Sequence, residues 1–136
     1  MKNAIDEETM ECLILSAREA SESAYCPYSK YPVGAALLGV DGETYIGCNV
    51  ENASYGLSMC AERTALFNAV GNGCRNFVAM ALVGGKKEAA TPCGACRQVL
   101  AEFCDVDMPV LYANLTDGDI SETTIGELLP LAFKKQ

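Results

Sequence analysis

The sequence contains no histidine among its 136 residues. That absence removes Ser-His-Asp triads, Cys-His proteases and H-E-x-x-H metalloproteases together, because each needs an imidazole as base or ligand. Any metal must then be held by thiolates and carboxylates. Positive charge is scarce as well: 10 Lys and Arg against 18 Asp and Glu leave a formal net charge of −8. So acidic a chain lacks the basic surface that broad nucleic-acid or anionic-membrane binding requires, and Lys86-Lys87 and Lys134-Lys135 read as solvated surface. Long apolar runs are missing; the longest, near residues 33–40 and 77–83, are far too short to span a bilayer. The opening Met1-Lys2-Asn3-Ala4-Ile5-Asp6-Glu7-Glu8 is acidic and has no signal-peptide core. No repeat, low-complexity tract or linker is visible. The expectation is one cytoplasmic domain over residues 1–136, with no nucleic-acid or membrane partner.

What is present in quantity is cysteine, eight residues in a chain that is 50% hydrophobic and 21% charged. In a cytoplasmic setting these read as reduced thiols, and Cys12, Cys26, Cys48, Cys74 and Cys104 as small core or near-surface residues. The other three fall in two short segments, Cys60-Ala61-Glu62-Arg63 and Thr91-Pro92-Cys93-Gly94-Ala95-Cys96-Arg97-Gln98, each opening a helical pattern. Cys93 and Cys96 stand three apart, so one helical turn aims both sulfurs at one point. Cys60 and Glu62 are two apart, about 200° around a helix, and converge only if that helix meets the site end-on. Helix N-termini favour thiolate, so the pattern is a candidate three-cysteine zinc site with Glu62 as proton shuttle. A C-x-x-C pair alone is equally a structural zinc half-site, a redox pair or two small buried residues. Pro92, the third thiol and the nearby Glu add up to the signature of zinc deaminases of cytosine and adenine.

Along the chain, Asp6 is a helix N-cap ahead of Glu7 and Glu8, and Leu13, Ala17, Ala20 and Ala24 mark one face of a helix over residues 7–24. A loop over residues 25–32 carries Tyr25, Tyr28 and Tyr31, rings suited to holding a planar ligand. Residues 33–40 read as a buried strand, Asp41-Gly42 as a hairpin turn and residues 43–50 as the partner strand. Ser58 offers a cap for the helix that buries Ala61, Ala65, Leu66 and Ala69 and ends at Gly71 or Gly73. A strand over 77–83, a helix over 93–103, a strand over 108–114 and a turn at 116–119 follow. A short strand or loop and a helix over 121–129 complete the order. That order predicts an α/β fold, a three-layer α/β/α sandwich with a mixed, roughly five-stranded sheet.

Several stretches resemble the cytidine deaminase family over nearly the whole chain: Ala24-Tyr25-Cys26-Pro27-Tyr28-Ser29-Lys30-Tyr31-Pro32-Val33-Gly34-Ala35-Ala36-Leu37, Gly47-Cys48-Asn49-Val50-Glu51-Asn52-Ala53-Ser54-Tyr55, Cys60-Ala61-Glu62-Arg63-Thr64-Ala65, Pro92-Cys93-Gly94-Ala95-Cys96-Arg97-Gln98-Val99 and Glu127-Leu128-Leu129-Pro130. The all-cysteine ligand set is similar to the small homotetrameric branch. The resemblance implies one Zn2+ per chain on Cys60, Cys93 and Cys96, proton transfer by Glu62, and ribose binding by Asn49 and Glu51. It implies that Ala61 N–H holds the pyrimidine carbonyl, that Arg63 donates to the thiolates, and that Phe133 reaches a neighbouring subunit's pocket. Three thiolates on Zn2+ carry net charge −1, so such a donor has a physical purpose of its own. Tyr31 stands where relatives usually carry Phe at the base pocket. The implied activity is hydrolytic deamination of cytidine and 2′-deoxycytidine to uridine or deoxyuridine and ammonia, in pyrimidine salvage. Other readings are a deaminase of an antibiotic cytosine nucleoside, a structural zinc module with Cys48 as fourth ligand, a thiol-redox enzyme and a nucleic-acid editor, the last disfavoured by the charge.

Overall fold

In the computed structural model the described residues are 5–135. Positions 1–4 and 136 of the expected single domain lie outside them. Helix α1 (Glu7–Ser21) starts where the sequence places it, with the Asp6 side chain accepting from Thr9 N at 2.8 Å. It ends three residues short of the expected 24. Beyond Ser21 the backbone turns through Ser23 N–Ala20 O and Ala24 N–Ser21 O bonds, and Tyr25 N is captured by Asn49 O. A distant strand end therefore overrides helical continuation.

Strands β1 (Val33–Gly39) and β2 (Thr44–Cys48) form the expected hairpin around Asp41-Gly42. A 3-10 turn (Tyr55–Leu57) precedes α2 (Ala61–Gly71), and β3 (Phe77–Gly84), α3 (Gly94–Phe103) and β4 (Pro109–Ala113) follow. Two expectations change. Ser58 does not cap α2: it closes the 3-10 turn and its hydroxyl accepts from Asn52 N, while Met59 pairs with Val50, so the helix starts after Cys60. The expected helix over 121–129 is strand β5 (Ser121–Thr124) followed by the four-residue α4 (Ile125–Leu128). The Ser-Glu-Thr-Thr run suits a strand, and the free edge of β4 gives it a partner in antiparallel register.

The sheet order is β2-β1-β3-β4-β5, with β3 and β4 parallel and every other pair antiparallel. Alternation along the strands divides the core in two. Ala35, Leu37, Met80, Leu82 and Val110 pack with Ala65, Leu66 and Leu100 from α2 and α3. Ala36, Ala79, Ala81, Val83 and Leu111 pack with Leu13, Ile14 and Ala17 from α1. With helices on both faces, β1 and β3 carry apolar residues on both sides, which is why they read as unalternating runs. This is the expected α/β sandwich with a mixed five-stranded sheet.

One close approach sets up the site. A Cβ on Gly47 would run into the backbone of Ala61 and Ala65, so glycine lets α2 sit directly on β2. The small residues Ala61, Ala65 and Ala69 complete that contact. Helix α2 thereby starts beside the carboxyl end of β3, where the loop to α3 also begins.

Candidate active site

Cys60 and Cys93 are the N-cap residues of α2 and α3, both in extended conformation. The two helices thus meet one point with their N-termini, as the Cys60–Glu62 spacing requires. Cys96, in the first turn of α3, is buried, and its N–H donates to Cys93 Sγ at 3.4 Å. The sulfurs of Cys60, Cys93 and Cys96 all lie within 4.8 Å of one another, with Cys60 and Cys93 at 3.7 Å. Cys48 is not among them. Its thiol is instead pushed up by burial and by nearby Cys26. All eight cysteines are free thiols.

Electrostatics separate the members of this group. The Cys60 thiol is pulled well below its ordinary value, chiefly by the neighbouring Cys96 thiol and also by Arg63 and Cys93. Cys96 is pushed up by the Cys60 thiol and by burial. Arg63 Nη2 lies 3.5 Å from Cys60 Sγ, and this bond holds the guanidinium more firmly protonated than usual. Arg63 Nε is buried and has no partner among the described residues. Three converging sulfurs, two helix N-termini and a cation against them suit a thiolate-bound zinc ion. Glu62 sits at the start of α2, where the helix dipole would favour the carboxylate, yet it is only 3% exposed and burial wins, raising it to about 7.

Above the sulfurs opens a cavity of about 370 Å³, within the range of small-molecule sites. It brings together Tyr31, Asn49, Cys60, Ala61, Glu62 and Cys93 from the sequence-derived set. Asn49 Oδ1 accepts from Val33 N at 2.9 Å and Nδ2 donates to Tyr31 O at 2.8 Å, leaving one N–H free. The Ala61 N–H lies in the first helical turn, where amides have no intrahelical acceptor.

Glu51 and Phe133 are not in this cavity. Glu51 lines a second one of about 300 Å³ with Tyr28, Ser29, Tyr55 and Ser58. Its carboxylate accepts from Tyr28 N and Ser29 N, each at 3.1 Å, and from the Ser29 hydroxyl, which together hold it below the usual carboxylate range. Phe133 is 75% exposed, with its backbone tied to α3 by Gln98 Nε2 at 3.1 Å. The three loop tyrosines divide as well: Tyr31 enters the main cavity, Tyr28 packs edge-on to Tyr55 at 6.2 Å, and Tyr25 lies 56% exposed.

Val33, Leu82, Glu88 and Ala90 also line the main cavity; Val33 lies in a stretch that resembles the family, and no sequence motif singled out the other three. Val33 and Leu82 read as strand core, and Glu88 as one charge in a polar loop. Among the described residues, no lysine or arginine lines the cavity.

A family model described as "Cytidine and deoxycytidylate deaminase zinc-binding region" matches residues 5–112. A cytidine deaminase of Sporosarcina psychrophila is 56% identical over 127 residues, 93% of each chain. The crystal structure of cytidine deaminase from Burkholderia pseudomallei superposes with a TM-score of 0.86 at 51% identity, covering 90% of this chain and 98% of that one. That of cytidine deaminase from Mycobacterium tuberculosis gives 0.80 at 39% identity, covering 97% and 100%.

Proposed function

Since the chain belongs to the cytidine and deoxycytidylate deaminase family, we propose that it hydrolyses cytidine, and 2′-deoxycytidine, to uridine or deoxyuridine and ammonia. The observation that carries this reading is Glu62, buried and poised near neutrality beside three converging sulfurs on the floor of a nucleoside-sized cavity.

Cys60, Cys93 and Cys96 would hold one zinc ion per chain. Bound there, zinc acts as a Lewis acid that makes a water nucleophilic near neutral pH. At about 7 the Glu62 carboxyl is available in both protonation states. As carboxylate it takes a proton from the attacking water, and as carboxylic acid it protonates the ring nitrogen beside the amine-bearing carbon. The water oxygen has by then bonded to the amine-bearing carbon; its remaining proton passes through Glu62 to the amine, the C–N bond breaks, ammonia leaves and the carbonyl of uridine forms. Arg63 spreads positive charge over the Cys60 thiolate. Ala61 N–H is the donor for the pyrimidine carbonyl, and the Tyr31 ring covers the base from the loop side.

Ribose recognition falls to Asn49, through its remaining N–H, and to Glu51 where the sugar extends from the main cavity toward the second one that Glu51 lines. With two bonds on Oε1 and one on Oε2, the Glu51 carboxylate keeps an acceptor position for a sugar hydroxyl. The family description also covers deoxycytidylate. A cavity lined by Glu62 and Glu88 with no cationic residue disfavours a phosphate, so the nucleoside is the better substrate.

A homotetramer, with Tyr55 and Phe133 reaching into a neighbour's site, agrees with the exposure of Tyr55 (78%), Leu131 (102%) and Phe133 (75%). Among the described residues no helix is long and apolar enough to cross a membrane. Eight free thiols agree with a reducing cytoplasm, where this reaction serves pyrimidine salvage. The test is turnover of cytidine, deoxycytidine and deoxycytidylate by purified protein, with zinc per chain measured on the same sample. Deamination of deoxycytidylate alone, or protein free of zinc that turns over cytidine, would overturn this reading.

A further inference from the structure

One wall of the main cavity, residues 88–91, is a loop with no regular structure of its own. It is closed on itself only by Ala90 N donating to Gly84 O at 2.9 Å. Three consecutive carbonyls just ahead of it are held by a separate turn after β4. Leu115 N donates to Gly85 O at 2.8 Å, the Thr116 hydroxyl to Lys86 O at 2.8 Å, and Asn114 Nδ2 to Lys87 O at 2.9 Å. Gly85 has φ 85°, and a methyl there would come within 2.8 Å of the Tyr31 hydroxyl. The held segment therefore also abuts the Tyr31 ring, which lines the same cavity.

Asn114 is 6% exposed and takes no part in the chemistry, yet all four positions of its amide are used. Nδ2 donates to Lys87 O and to Asp117 Oδ2 at 2.8 Å, while Oδ1 accepts from Thr116 N at 3.1 Å and Asp117 N at 2.9 Å. Arg18 of α1 anchors the turn from behind, with Nη2 at 3.0 Å from Asn114 O and 3.3 Å from Asp117 O. A saturated buried amide tolerates little displacement, because each lost bond leaves a buried polar group without a partner.

We propose that Asn114 and Thr116 are positioning residues for the substrate cavity. Through the carbonyls of Lys87 and Lys86 they hold the wall 88–91 at the distance from Tyr31 and Glu62 that admits a nucleoside. This inference rests on the proposed deamination, since its first readout is substrate affinity. Loss of the wall's support weakens ground-state binding and leaves the proton chemistry of Glu62 in place.

Thr116→Val removes one bond at nearly constant volume, and Thr116→Ser restores it. Asn114→Asp keeps both acceptors, loses the donor to Lys87 O, and sets a carboxylate against Asp117. In Thr116→Val, KM for cytidine and Kd for uridine, read by calorimetry, rise about two- to tenfold, as expected for one net hydrogen bond. Meanwhile kcat and zinc content stay at the wild-type level. Hydrogen exchange at the Ala90 amide quickens, Thr116→Ser returns all readings to wild type, and Asn114→Asp moves them further in the same direction. Unchanged KM and Kd in folded Thr116→Val and Asn114→Asp, or a loss confined to kcat, would overturn the proposal. A wild-type chain that fails to turn over cytidine would count against the proposed function instead. The Ala90 exchange rate would then still decide whether the turn holds the wall.

Discussion

The floor of the cavity and its rim are built on different principles. The floor is Cys60, Glu62 and Cys93, with the fully buried Cys96 behind them, all at the starts of two helices that rest on the sheet. Within each helix start its bonds are short in sequence, such as Arg63 to Cys60 and Cys96 N to Cys93 Sγ, and the Cys60–Cys93 sulfur contact joins the two starts. The rim is loop. Tyr31 is held through Asn49, the Tyr28–Ser29 amides through Glu51, and the wall 88–91 through residues 114–116, so each tie joins distant parts of the chain. Chemistry that needs fixed geometry sits on rigid helix starts, while recognition sits on loops whose position depends on side-chain hydrogen bonds.

If that division is real, floor variants lower kcat or zinc content and rim variants raise KM. The largest effect belongs to Cys93→Ala: zinc is lost, turnover falls to background and the unfolding midpoint drops, because metal binding and folding are coupled. Full zinc occupancy in that variant, by elemental analysis, would remove Cys93 from the ligand set. Glu62→Gln comes next. The amide nearly preserves shape but cannot cycle a proton, so zinc stays bound while kcat falls about 10²–10⁴-fold. Near-normal turnover would take Glu62 out of the mechanism.

With Phe133 in the proposed role at a neighbouring subunit's cavity, Phe133→Ala raises KM by roughly tenfold, the scale of truncating one interface aromatic, with kcat little changed. A fully active monomer in sedimentation at working concentration would exclude any contribution from a neighbouring chain. The smallest effect separates rim from floor by pH. Hydrogen bonds from Ser29 and Tyr28 lower the Glu51 pKa below its ordinary value of 4.5. The folded state therefore gains stability from Glu51 above about 4.5 and loses it as pH falls through the lowered folded value. The stability gap between wild type and Glu51→Gln should narrow as pH drops below that point. A gap independent of pH would mean that the Glu51 carboxylate does not hold the loop.

How much was legible follows from the range of each interaction. Asp6, Asp41-Gly42 and the buried runs of β1 and β3 act over a few residues, and all were readable. The end of α1, the start of α2 and the strand β5 were not. Each depends on a partner far away in sequence: Asn49 O for Tyr25, Val50 for Met59, and the β4 edge for Ser121–Thr124. The same holds for the site. The cysteine segments announced themselves by spacing, whereas Glu88 and Ala90 carry no local signal and reach the cavity only because Asn114 and Thr116 hold the loop ahead of them.

By itself, the sequence determined the donor atoms and the class of chemistry. With no histidine in the chain, three thiols at helix-start spacing and one Glu beside them form the candidate donor set, and the family resemblance supplies the zinc and the chemistry. It also determined the layered α/β fold, because period and turn chemistry are local. Only the tertiary structure decided the protonation and the shape. Burial under the sheet and loops, not the helix dipole, brings Glu62 to about 7, and no local pattern reveals which residues will desolvate it. Hydrogen bonds between distant parts of the chain decided that Asn49 lines the main cavity while Glu51 lies in a second one. The reason is physical: helical period and ligand spacing are encoded within a turn or two, while desolvation and cavity shape are sums over neighbours that folding alone assembles.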